Sequence, residues 1–142
     1  MATSDALVSA RATVRWSSGA NAVAGVWLFI APFMLGYVNL QPAFWNDLVV
    51  GAAVFFLALA RARVPLRNIG ISWANVVIGL WLVLAPFLLQ YQQYPAVANA
   101  DAAVSNDVIL GIIVALLAAR SATAARGARK RLDAEGKRPP PP

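Results

Sequence analysis

Two carboxylates stand in an otherwise apolar chain: Asp47 and Asp107, each the second residue of an Asn-Asp pair that opens an apolar run. An acid inside or beside a membrane-crossing segment is by default a candidate for coupling to protons or cations. The same pair at a helix start also reads as an N-cap, accepting from exposed amides and complementing the helix dipole. Both pairs fall near the outer end of a span, where charge costs little. Capping is therefore the favoured reading, and transport through Asp47 and Asp107 is its alternative.

Little else in the chain could do chemistry. It has no cysteine, which removes thiolate nucleophiles, disulfides and sulfur-ligated metals. It has no histidine, the commonest metal ligand and the usual proton shuttle near neutral pH. An enzyme needs a nucleophile and a base in mutual reach, and the apolar segments carry no Glu or Lys either. The expectation is a protein that is not an enzyme and uses no cofactor.

The elements that must position these residues are declared by a repeat. Residues 20–37, ANAVAGVWLFIAPFMLGY, return 54 positions later as ANVVIGLWLVLAPFLLQY, with eleven of eighteen positions identical. A second, weaker repeat aligns Asn46-Asp47-Leu48-Val49-Val50-Gly51 with Asn106-Asp107-Val108-Ile109-Leu110-Gly111 at an offset of 60. The six extra residues fall in the loop 92–103, where insertions are cheap. Composition places the unit in a bilayer: 60% of residues are hydrophobic and 13% charged, concentrated into four stretches with no polar face.

The expected fold is therefore all-α and polytopic, with four transmembrane helices arranged as two tandem hairpin repeats in parallel orientation. Spans are expected from about Ser18 to Tyr37, Trp45 to Ala62, Ile71 to Tyr91 and Val104 to Ala119. Repeat 1 then covers 18–62 and repeat 2 covers 71–119. They are joined by a basic connector at 63–70 and flanked by an N-terminal segment, 1–17, and a basic, proline-ended tail, 120–142. The fourth helix is expected to run on as far as Asp133, because Ala and Arg are strong helix formers. The first span is expected to stay uncleaved, since it has full span length and its twin lies mid-chain.

With four spans, all twelve basic residues fall on one side of the membrane. The positive-inside rule then puts both termini in the cytoplasm. Tyr37, Phe44, Trp45, Tyr91 and Tyr94 are expected as an outer aromatic girdle, and Trp16 and Trp73 as an inner one. The net charge of +6 points to anionic lipid rather than nucleic acid, since the tail lies against the bilayer and has no interleaved aromatics.

Within the spans, Asn21, Gly25 and Pro32 share one helical stripe, and Asn75, Gly79 and Pro86 repeat it. A buried amide needs a partner, and glycine lets a neighbouring backbone come close. This favours interhelical hydrogen bonding and tight packing over a polar path between the hairpins. Gly51 and Gly111 take the corresponding packing role on the second helix of each unit. Pro32 and Pro86 each free a carbonyl four residues back, and bending of the helix is the favoured consequence. Trp27 and Trp81 lie mid-span, too deep for anchoring, and bulk packing between helices or against lipid is favoured over the aromatic wall of a ligand site.

These residues resemble the SPW-repeat family of prokaryotic integral membrane proteins. The matches are Asn21, Gly25, Trp27-Leu28 and Pro32, then Trp45-Asn46 and Gly51. In the second copy they are Asn75, Gly79, Trp81-Leu82 and Pro86, then Asn106 and Gly111. Ala-Pro-Phe stands in both copies where the family has Ser-Pro-Trp. The resemblance covers about Ser17 to Ala119. It implies a four-helix membrane domain in two repeats and no assigned biochemical activity. A structural or accessory subunit of a membrane assembly is the function expected first, with self-association or a membrane protein partner. A small transporter or channel at the repeat interface is the alternative.

Overall fold

The computed structural model describes residues 2–63, 70–94 and 99–136. Four helices account for most of them: α1 (Ala2–Met34), α2 (Gln41–Arg63), α3 (Gly70–Leu88) and α4 (Ala100–Gly136). A short 3-10 turn, Tyr91–Gln93, follows α3. No strand occurs among the described residues. All four helices are long and apolar enough to cross a membrane. Most of the connector, 64–69, and the proline-ended tip, 137–142, lie outside the described residues.

Polarity is arranged for a lipid environment. Phe33, Val49, Phe56, Phe87 and Leu116 point outward, each more than half exposed, whereas Asn46, Asp47, Arg61, Asn106 and Asp107 are enclosed. Water would reverse that preference, because apolar area is driven inward and unpaired polar groups outward.

The most extensive packing joins α1 to α2 and α3 to α4. Within each hairpin two glycines make the close seam. A Cβ on Gly25 would lie 2.7 Å from the carbonyl oxygen of Gly51, and one on Gly79 would lie 2.7 Å from that of Gly111. Between hairpins, α1 lies against α4 and α2 against α3, the first contact being the larger. The difference arises because α1 and α4 outrun the membrane. Their 33 and 37 residues reach about 50 and 55 Å at 1.5 Å per residue, against a hydrocarbon core of about 30 Å. Small residues let the two overhangs pair: Ala6, Ser9 and Ala10 face Ala124, Gly127 and Ala128 across a shallow groove.

The turns closing the two hairpins are related but unequal. Pro32 and Pro86 sit in the last turn of α1 and α3, so neither interrupts a helix midway. After α1, Gly36 adopts φ 75° and the Tyr37 amide donates back to the Pro32 carbonyl at 3.0 Å, a Schellman closure. After α3, the equivalent left-handed position is held by Gln90 (φ 54°), where a side chain costs about 1–2 kcal/mol. Both turns fold the following tyrosine back into the bundle. The next helix then starts early, at Gln41 with Pro42 in its first turn, rather than at Trp45.

Substitution at the seams separates packing from helix propensity. Gly79→Ala should destabilise the protein by about 1–3 kcal/mol, since the added carbon meets backbone that cannot yield. Gly127→Ala meets nothing within 4 Å and should be neutral or stabilising by up to about 1 kcal/mol. Thermal unfolding in mild detergent measures both. Gln90→Gly should raise the midpoint by relieving the left-handed residue.

Candidate functional site

The early start of α2 and α4 changes what Asp47 and Asp107 can do. Each lies more than a turn inside its helix and is 0% exposed, so neither caps the start of its helix. This corrects the capping expectation. The physical reason is that Pro42 and the turn before it begin α2 upstream, while Asn99 accepts from the Ala103 amide and begins α4.

A hydrogen-bonded cluster surrounds the two carboxylates. The Tyr37 hydroxyl donates to Asp47 Oδ2 at 2.6 Å, and the Tyr91 hydroxyl donates to Asp107 Oδ2 at 3.0 Å. The Asn46 amide donates across the hairpins to Asp107 Oδ2 at 3.2 Å, and also to its neighbour Asp47 Oδ1 at 3.4 Å. The Asn106 amide donates across to the Tyr37 hydroxyl oxygen at 3.1 Å and to Asp107 Oδ1 at 3.4 Å.

Two tryptophans close the cluster, each reaching into the opposite hairpin. Trp27 Nε1 of the first hairpin donates to Asn106 Oδ1, and Trp81 Nε1 of the second donates to Asn46 Oδ1, both at 2.9 Å. The bonds are exchanged, so the same residue types serve as donor and acceptor on both sides. Trp27 and Trp81 therefore do more than fill space, contrary to the packing expectation. Their N–H groups are mid-span donors that need acceptors once water is gone.

Tyr37 and Tyr91 are likewise not girdle residues: both are fully buried. Trp45 and Tyr94, by contrast, are exposed. Phe44 stacks edge-on against Phe33 and Trp45. At the other end Trp16 is 81% exposed, and the Arg126 guanidinium lies 4.9 Å from the centre of the Trp73 ring.

Asn21 and Asn75 do not join this cluster. Both are buried, and neither Oδ1 receives a hydrogen bond from the protein. Between them and the aspartates lies an apolar layer made of Ala24, Leu28, Val50, Val54, Leu82 and Val114. One layer further toward the basic ends, Ser72 and Ser121 share a hydrogen bond of 3.1 Å. Among the described residues no group of three or more acidic side chains is placed to hold a metal ion. The Gly25–Gly51 seam opens outward into an apolar groove of about 440 Å³ beside Phe29, Phe55 and Phe56.

Chemically, the cluster is a closed polar clasp. Six N–H or O–H donors from Trp27, Trp81, Tyr37, Tyr91, Asn46 and Asn106 converge on two carboxylates, two amide oxygens and one phenol oxygen. Its members recur between the two copies of the repeat as identical types, a signal that could have marked them as a set. Each cross-hairpin bond is worth about 0.6 kcal/mol on average in a membrane protein. Removing one member of a buried set costs more, because its partner is stranded. Tyr37→Phe, which leaves both Asp47 Oδ2 and the Asn106 amide short of a partner, should therefore destabilise by about 1–3 kcal/mol. Phe33→Leu on the lipid face should change stability by less than about 1.5 kcal/mol. Chemical denaturation in detergent compares the two.

No curated protein and no solved structure matches the chain. The family model of the SPW repeat domain matches residues 15–121, well over half of the chain and all of the clasp. An integral, multi-pass membrane protein with four spanning helices, the chain belongs to the SPW-repeat family.

Proposed function

We propose that this protein is a non-enzymatic structural or accessory subunit of a membrane assembly, set in a prokaryotic cytoplasmic membrane. The observation that carries this reading is the closure of the interior. The clasp satisfies its donors within the bundle, and a layer of Leu28, Val54, Leu82 and Val114 separates it from the polar residues at the other end. Such an interior is suited to holding two hairpins in register rather than passing a solute.

Charge supports the orientation. Arg11, Arg15, Arg61 and Arg63 and the cations of α4 from Arg120 onward gather at one end, which under the positive-inside rule supports cytoplasmic termini. There the paired overhangs of α1 and α4 offer a small platform. Its Arg and Lys side chains nearest the bilayer would each gain about 1 kcal/mol from anionic lipid. Assembly with a second copy or another membrane protein would use the outer apolar faces.

The alternative, a small transporter or channel at the interface of the repeats, is favoured by one fact: two fully buried carboxylates meet across the hairpins through Asn46. The two readings separate in reconstituted vesicles. The subunit reading expects no ion flux above protein-free vesicles, with Asp47→Asn and Asp107→Asn changing stability alone. Flux that both substitutions abolish would establish the transporter. In mild detergent the subunit reading further expects a stable complex, by self-association or with a co-purifying membrane protein. A strictly monomeric, partnerless particle would count against it.

A further inference from the structure

The clasp leaves the opposite polar layer without a role. Asn21 on α1 and Asn75 on α3 are equivalent residues 54 positions apart, each 2% exposed. The side-chain oxygen of each is fully shielded and receives no donor from the protein. Both lie seven residues before a leucine of the same face, Leu28 or Leu82, and those leucines belong to one apolar cluster. The two amides therefore occupy a common layer of the bundle interior. Antiparallel pairing brings α2 and α4 to this level at Ala58 and Ala118, both buried and too short to reach a polar partner.

An amide oxygen stranded in a low-dielectric interior is costly, and here the cost recurs at two equivalent places. No described side chain donates to either oxygen, and the chemistry of what could do so is constrained. A cation is disfavoured by the buried guanidinium of Arg61, which lies about one turn beyond Ala58 on α2. An anion is disfavoured by the two carbonyl oxygens themselves. A small neutral donor with two hydrogens fits both conditions, and protein interiors commonly use water in this way. The neighbouring layer is polar, with Ser18, Ser72 and Ser121 buried at the basic end.

We propose that Asn21 and Asn75 form an internal water site, approached from the basic end of the bundle and closed on its far side by Leu28, Val54, Leu82 and Val114. The two amide oxygens accept from water held in this layer, since neither receives a hydrogen bond from the described residues. The site is independent of the clasp and of the proposed subunit role.

Water-edited solid-state NMR on the full chain in lipid bilayers tests it. Magnetisation from water should reach the Asn21 and Asn75 side chains several-fold faster than the Leu28 and Leu82 methyl groups, although all four residues are buried. Build-up at the asparagines as slow as at the leucines would overturn the proposal. In the double variant Asn21→Leu, Asn75→Leu, transfer to the Ala58 and Ala118 methyls should fall to the level of the leucines. Unchanged transfer to those alanines would equally overturn it, because the amides would then not be what holds the water. Should that variant fail to fold, the wild-type comparison decides alone.

Discussion

A polar side chain at membrane depth cannot turn to lipid for a partner, and that requirement organises this bundle. Asp47 and Asp107 cannot face lipid, so the faces of α2 and α4 that carry them must turn inward. Once they do, the tyrosines after α1 and α3 must fold back beneath them as donors, which the left-handed residues Gly36 and Gln90 make possible. The asparagine beside each aspartate is then directed across the hairpins, where the indole N–H of the other copy finds its oxygen. Lipid receives whatever faces remain, and these are rich in Phe, Val and Leu.

The glycine seams serve the same end. Short exchanged hydrogen bonds between hairpins require each hairpin to be thin, and backbones in contact at Gly25–Gly51 and Gly79–Gly111 make it so. Down its axis the bundle then alternates: polar clasp, aliphatic layer, the asparagine pair, and a serine and arginine layer at the basic end. Beyond that, α1 and α4 continue together as an antiparallel pair built on Ala, Ser, Thr and Gly. On the proposed reading the aliphatic layer matters most, because it divides one polar compartment from the other. A protein built to conduct would need that layer to part, whereas one built to hold its hairpins together needs it closed.

Much of the fold was legible in the residues themselves. Four apolar stretches, an internal repeat and the one-sided placement of Arg and Lys suffice to infer four crossing helices. The site was less legible, and for a definite reason. An Asn-Asp pair before an apolar run looks the same whether it caps a helix or lies a turn and a half inside one. Only Pro42, five residues ahead of Asp47, hinted that the helix had already begun. Tyr37 and Tyr91 resembled boundary aromatics because they end apolar runs, and the backward fold of the turn was hidden in Gly36 and in a glutamine. The swapped Trp27–Asn106 and Trp81–Asn46 bonds depend on which helix faces meet, which spacing along one chain does not determine. The overhang of α1 back to Ala2 went unread because hydropathy stops at the membrane surface while helix propensity does not.

The exchanged tryptophan bonds are the most specific feature of this account and the most exposed to test. Indole N–H resonances of Trp27 and Trp81, assigned by NMR in micelles or bilayers, report the acceptor each one has. Asn46→Ala should shift the Trp81 indole proton upfield and leave Trp27 near its original position, while Asn106→Ala should do the reverse. A Trp81 resonance indifferent to Asn46, or one that moves only with changes in its own hairpin, would contradict the clasp and the packing derived from it.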